Sequence, residues 1–458
     1  MPRTSHRRSS RRFVLAAVTL LAAAVFVSTA LAGGSSKPPT WTKSWASPAG
    51  DQFEGAQLAR SAACDLYVGG DLYRLSASSY DWVVARYTAA GTRKWVRFLA
   101  GPSDNDYLNK LAADADGNVI AVGQVSTAAH ASDWMVVKWS RSGTLLWKRQ
   151  IDGTAHSVDI ARDVVVAGDG SVFVVGSVNR SGSSTDGLIV KYSPGGHVLW
   201  SKYFDDAEHS GDEFFAIARD ARNNVYVTGL DYDTDRANDC VLIRYSSGGH
   251  RDWIRRWGDA TALRHDVGFD VAVRGSYVAV AGQTMHDPAS WIYSGMTLKY
   301  STAGVLQWER TYVNDDPAID AWWRCVGIDS SGRVAVGGQA YVTASPTDLA
   351  WTTTVYTADG TIGPVLKLKG DSGATNAITD LSMTAAGTVY ETGALYYSAS
   401  FADLYVIALG SDGAPLWGSV VAGPLGFNDI GGGVVPTSTG VYVGGSMDRN
   451  LVLLKYTP

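Results

Sequence analysis

Four carboxylates stand at positions 1, 3, 5 and 9 of one short run: Asp231, Asp233, Asp235 and Asp239. A hard cation takes oxygen ligands, and alternate acids along a turning chain can wrap one. The run is therefore the candidate metal site, and Ca2+ is the one cofactor the sequence suggests. Arg236 stands at position 6, where calcium loops usually carry Gly, and its charge competes with a metal. The preceding connection adds Asp205, Asp206, Glu208, Asp212 and Glu213. A second group combines acids with flat rings. Asp315, Asp316 and Asp320 precede Trp322 and Trp323, a candidate ligand-binding set. Tyr107, Tyr232, Tyr293, Tyr396 and Tyr397 are able to stack on sugar rings, although packing within loops and strands explains them more simply.

No catalytic residue is singled out. Beyond residue 32 the histidines are His130, His156, His197, His209, His250, His265 and His286. No pair has zinc-ligand spacing, and none is tied by a local motif to a nucleophile. Three cysteines are too few for a disulfide-stapled exported fold. Cys64 falls in a turn, and Cys240 and Cys325 read as buried free thiols.

The elements that position these residues come from an internal repeat. A short apolar run closing on glycine recurs eight times, ending at Gly70, Gly123, Gly176, Gly229, Gly282, Gly338, Gly393 and Gly445. The spacings are 53, 53, 53, 53, 56, 55 and 52 residues. Each run is followed by an apolar strand, a glycine turn and a Trp: Trp95, Trp147, Trp200, Trp253, Trp308 and Trp417. The sixth unit breaks the rule, with Ile362-Gly363-Pro364 in that place. Each unit holds four strands, here lettered A to D, which is the content of one propeller blade.

The eighth unit stops at Lys455-Tyr456-Thr457-Pro458, short of a fourth strand. Trp41 lies 54 residues before Trp95, in phase with the repeat. The expectation is an all-β, eight-bladed β-propeller of four-stranded blades, its last blade closed by the N-terminal strand; the alternative is seven blades. Residues 1–32 read as a signal peptide: five arginines, then an apolar run from Phe13 to the small-x-small site Ala30-Leu31-Ala32. Residues 33–38 read as a short linker and 39–458 as a single propeller domain. The chain is expected to be secreted, the alternative being an envelope anchor made by the uncleaved signal.

The turn motifs resemble the bacterial beta-propeller repeat (SBBP-like) family. They are Asn223-Asn224-Val225-Tyr226-Val227-Thr228-Gly229 and Lys191-Tyr192-Ser193 leading to Gly196. That resemblance implies a propeller and export rather than a particular activity. The glycine-to-Trp element is also similar to the tryptophan-docking motif of eight-bladed quinoproteins, where the indole stacks on the adjoining blade. Those dehydrogenases carry an adjacent cysteine pair over their cofactor, and this chain has none.

Repetition separates scaffold from site, because one ligand does not need eight copies of a residue. The Trp series is therefore structural. So are two Asp series, expected to accept backbone N–H bonds where strands begin: Asp81, Asp133, Asp186, Asp239, Asp348 and Asp403 before strand C, and Asp106, Asp159 and Asp212 before strand A. Long B–C and D–A connections share one face, where binding residues usually sit. Removing residues 1–32 takes the net charge from −5 to about −10, which disfavours nucleic acid as a partner. The resulting expectation is an exported, monomeric binding or interaction module with one loop-rich acidic face. Its partner is an unspecified protein or glycan, with no membrane contact after signal cleavage. The alternative is a propeller enzyme, either a quinone-dependent oxidoreductase or one acting on polysaccharides.

Overall fold

The computed structural model describes residues 35–458 except 102–104, 128–130, 183, 206–210, 234–236, 259–263, 288–290, 315, 317–318, 343–347, 371–375 and 397–400. Of residues 233, 237, 264, 286 and 287 it describes the backbone alone. Eight antiparallel sheets follow one another around a ring, each with strand order A-B-C-D. Blade one is Gln52–Arg60, Leu66–Arg74, Ser79–Tyr87 and Arg93–Leu99. Blade seven is Ala377–Met383, Val389–Tyr396, Ala402–Leu409 and Pro415–Val421. Blade eight is Ile430–Thr437, Gly440–Met447 and Asn450–Tyr456, with Trp41–Trp45 as its outer strand.

Strands B and C are apolar on both faces because each is sandwiched between neighbouring blades. The buried clusters accordingly join adjacent blades: Tyr67, Trp82 and Val84 of blade one meet Val119, Ala121 and Val137 of blade two. Every A strand carries a β-bulge, at Leu108/Lys110 and Phe214/Ala216 for example. A bulge bends and twists a strand, which suits the crowded centre of a ring.

Just after the bulge, blades three, five and seven carry Asp163, Asp270 and Asp380. Each reaches the inner strand of the next blade: Asp163 accepts from the Ile217 N–H at 2.9 Å, Asp270 from Val326 at 2.8 Å and Asp380 from Val434 at 2.7 Å. Lys110 of blade two lies within reach of all three. Burial alone would lower its ammonium, but Asp163, Asp380 and Asp270 hold it above its ordinary value.

The Trp series docks blade to blade. Trp147 Nε1 donates to the Pro194 carbonyl at 2.9 Å, and Arg149 Nε donates to that of Gly196 at 2.6 Å. A Cβ at Gly196 would come within 2.7 Å of the Trp147 ring, and its φ is 82°. Glycine is thus required twice, for the left-handed backbone and for the close approach. Trp95 and Trp308 donate in the same way, to the carbonyls of Arg141 and Ala358.

Trp41–Trp45 pairs antiparallel with Asn450–Tyr456, Trp41 opposite Lys455, so the first strand closes the last blade. Trp41 then lies against Gly91 of blade one, the place Trp147 takes at Gly196. The segment expected as a linker is not free of structure. Ser35–Ser36 pairs parallel with Trp417 and Gly418 on the outer edge of blade seven. Lys37 Nζ donates to the Thr457 carbonyl at 2.9 Å. The cause is the outer strand of blade seven, whose unpaired backbone groups attract a further strand.

Candidate functional site

B–C and D–A connections meet on one face, as in the bond from the Asp429 N–H to the Ala402 carbonyl at 2.7 Å. One blade departs from the others there. The B–C connection of blade eight is only Asp448-Arg449, with φ of 49° and 62°. Two successive left-handed residues make the tightest hairpin, a turn that normally selects Asn-Gly or Asp-Gly. Asp429 Oδ1 accepts from the Asp448 N–H at 2.7 Å, and Asp448 Oδ1 accepts from the Leu425 N–H at 3.0 Å, which fixes the hairpin in place. Burial pushes the Asp429 carboxyl up to about 6.

The short turn leaves a notch between the loops of blade seven and the first residues of blade one. It forms a pocket of 310 Å³ lined by Phe53, Glu54, Gly55, Phe401, Phe427, Asn428, Ile430, Ser446 and Arg449. Phe401 and Phe427 meet edge to face at 6.4 Å. The Arg449 guanidinium lies 3.8 Å from the Phe427 ring centre. Phe53 is buried, and its N–H donates to the Arg449 carbonyl at 2.8 Å, tying blade one to blade eight. Asn428 Oδ1 accepts from the Ala402 N–H at 3.0 Å.

At the rim, Glu54 Oε2 accepts from the Tyr80 hydroxyl at 3.0 Å. Burial and this carboxylate push the Tyr80 phenol up to about 12. Tyr80 sits between Tyr73, at 5.0 Å, and Tyr107, at 5.6 Å. A row of three tyrosine rings therefore runs from the pocket rim across blade one to the first strand of blade two. Apolar walls with a few fixed polar groups are the usual make-up of a small-ligand site.

The residues singled out from the sequence are dispersed around this face. Asp231 and Asp239 face each other across strands Val225–Asp233 and Ala237–Tyr245, so the expected calcium loop is mostly hairpin. Both are buried, and Asp231 forms an ion pair with Arg256 of strand D. The Asp233 side chain and Asp235 lie outside the described residues. Among the described residues, three carboxylates that approach one another are Asp133, Asp152 and Asp159, with oxygens within 4.8 Å.

In the acid–aromatic set, Asp315 lies outside the described residues and Asp316 is exposed. Asp320 Oδ1 accepts from the Tyr293 N–H at 2.7 Å. Trp322 is half-buried against Tyr341. Trp323 is fully buried in the core between blades five and six, 5.1 Å from Tyr312. Tyr396 hydrogen-bonds through its backbone to Asn376, Tyr232 is exposed, and Tyr397 lies outside the described residues.

The two Asp series behave differently from each other. Asp106, Asp159 and Asp212 accept the expected backbone bonds, from Ser126, Asn179 and Tyr232. The series before strand C takes side-chain donors instead: Arg74 on Asp81, Gln150 on Asp133, Arg180 on Asp186 and Lys369 on Asp348. Strand C is central, so its backbone is already paired on both sides, and these carboxylates turn to a neighbouring side-chain donor.

Sequence reasoning missed Phe401, Phe427 and Arg449. The one signal available was the near-absent B–C loop between Met447 and Asn450. It also missed Trp291, which is 63% exposed on the same face and stacked on His265 at 5.5 Å. That indole follows Asp287-Pro288-Ala289-Ser290, a turn-forming sequence.

No protein-family model matches the chain, and no curated protein matches it in sequence. The likeness to bacterial propeller repeats therefore rests on the turn motifs alone. Similar solved structures include Sqt1 from Chaetomium thermophilum, at TM-score 0.53 and 12% identity over 89% of this chain and 97% of that one. Others are the beta-propeller domain of the Trilobed protease from Pyrococcus furiosus (TM-score 0.43, 10% identity, 77% and 93% covered) and YCF48 bound to D1 peptide (TM-score 0.45, 10% identity, 94% and 100% covered). At these identities the likeness concerns the fold alone, and that fold is a β-propeller.

Proposed function

We propose that the chain is an exported binding module whose ligand site is the loop-rich face, centred on the pocket between blades seven, eight and one. The observation that carries this reading is the pocket itself. It lies where the repeat is broken, and its walls come from three blades. Two of its polar groups, Glu54 and Asn428, are held by bonds that already exist without a ligand. Propellers host many activities, so the site and not the fold must argue the function. Export rests on residues 1–32, with their basic start, apolar run and Ala30-Leu31-Ala32. The acids of blade four in the connections before strand A and after strand B are what supports an acidic character for the same face.

A binding screen on the chain beginning at Gly33, with glycans, peptides and metabolites, tests the reading. A ligand whose binding is weakened by Phe401→Ala, with unchanged melting, supports it. Ligands that bind equally well to this variant, and protect other faces in hydrogen exchange, overturn it.

A further inference from the structure

We propose that the pocket between blades seven, eight and one takes a carboxylate carried on an apolar body, with Arg449 as the anchor for the carboxylate and Phe53, Phe401 and Phe427 as the seat of the apolar part. The inference rests on the reading of this pocket as the binding site and names the class of its ligand.

Three observations converge on Arg449. Its guanidinium carbon lies 3.8 Å from the centre of the Phe427 ring, a cation–π contact that holds the fork against the pocket wall. No carboxylate or carbonyl of the described residues accepts a hydrogen bond from its side chain, although acids outnumber bases in the chain, 44 to 39. The donors that point away from the ring are thus available, and a carboxylate matches that fork with two parallel bonds. Finally, Arg449 occupies a left-handed position, with φ of 62°, where glycine is the residue that costs least. A bulky side chain kept in such a position at a pocket mouth points to a role for the side chain.

The rest of the pocket defines the body of the ligand. Phe53, Phe401, Phe427 and Ile430 present carbon, whereas Glu54 is already engaged by Tyr80 and Asn428 by the Ala402 N–H. A sugar acid would leave several hydroxyls against phenyl rings without partners, which is costly. An alkyl or aryl acid leaves none. The volume of 310 Å³ is at the small end for ligand sites and suits one side chain with its carboxylate, either a free apolar acid or the last residue of a peptide.

Calorimetric titrations with N-acetyl-phenylalanine, its C-terminal amide, a tetrapeptide ending in Phe and galacturonic acid separate the outcomes. The acid is expected to bind about tenfold or more tightly than its amide, as one charge-assisted pair implies. Arg449→Gln should abolish that difference, while Arg449→Lys retains part of it. Phe401→Ala should weaken acid and amide alike. If the tetrapeptide binds more tightly than the amino acid, the source is chain-terminal; the reverse order assigns a free acid. Equal binding of acid and amide to the wild type overturns the carboxylate anchor and leaves the pocket standing. Tighter binding of galacturonic acid than of N-acetyl-phenylalanine overturns the apolar class. Absence of saturable binding by both acids overturns the inference. The broader reading then still stands if another ligand is weakened by Phe401→Ala, and falls with it if none is.

Discussion

Blades two and three meet through a contact that the repeat specifies completely. Trp147 covers Gly196, its indole donates to Pro194, and Arg149 fastens the turn beyond. Blades seven, eight and one meet differently. On the turn side the Trp41 strand imitates that docking, but on the loop side the hairpin Asp448-Arg449 is too short to fill the space, and a pocket lined by phenyl rings remains. Uniform repetition yields rigid walls, and a cavity arises where one copy is cut short. Blades six and seven form a third kind of contact. Blade six has Pro364 where the others have Trp, and elsewhere on the same contact its strand C meets a buried carboxyl of blade seven. Glu391 Oε2 accepts from Trp351 Nε1 and Thr353 Oγ1, both at 2.8 Å, while Oε1 has no donor among the described residues.

The largest effect is expected at the closing strand. A chain starting at Gln52 loses Trp41–Trp45 and exposes the edge of Asn450–Tyr456, which is expected to template aggregation. Size-exclusion and thermal melting should show soluble aggregate or a melting point lowered by roughly 5–10 °C. A monomer with unchanged melting would mean that the ring does not depend on this clasp.

Next in size is the docking contact. Trp147→Ala leaves a cavity and removes the indole's bond to the Pro194 carbonyl, at a cost of about 3–5 kcal/mol. Denaturant titration should show this loss, and the equivalent change at the blade-six position, Pro364→Ala, should cost far less.

The contact between blades six and seven predicts a pH effect. Burial pushes the Glu391 carboxyl up to about 8, against 4.5 in open chain, despite the bonds from Thr353 and Trp351 that lower it. The folded state therefore binds more protons between those values. Its contribution is full near pH 4.5 and is lost as the pH rises towards 8. Asp270, raised to about 7 by burial, acts in the same direction. Unfolding measured at pH 5 and pH 8 should show greater stability at pH 5, and Glu391→Gln should flatten the difference. An unchanged slope in that variant would place the titrating groups elsewhere.

The smallest effect is expected at the pocket. Arg449→Gly relieves a left-handed side chain, worth about 1 kcal/mol, and removes a cation–π contact worth ~0.5–1 kcal/mol. The melting point should move by less than about 2 °C. A large destabilisation would show that the arginine supports the hairpin instead of serving a ligand.

The blade count, the place of each strand and the closing role of Trp41–Trp45 were determined by the sequence alone. They follow from a period near 53 residues whose turns and apolar runs are local, so each copy can be read against the others. The docking role of the Trp series was legible for the same reason. What the strand-C aspartates bind was not, because Arg74 and Lys369 reach them only after the sheets have formed. The pocket was decided entirely by the tertiary structure. Phe53 and Arg449 come from opposite ends of the chain, and no local pattern links them. Closure of the ring sets the first strand of blade one beside the last hairpin, and the truncated turn opens only there.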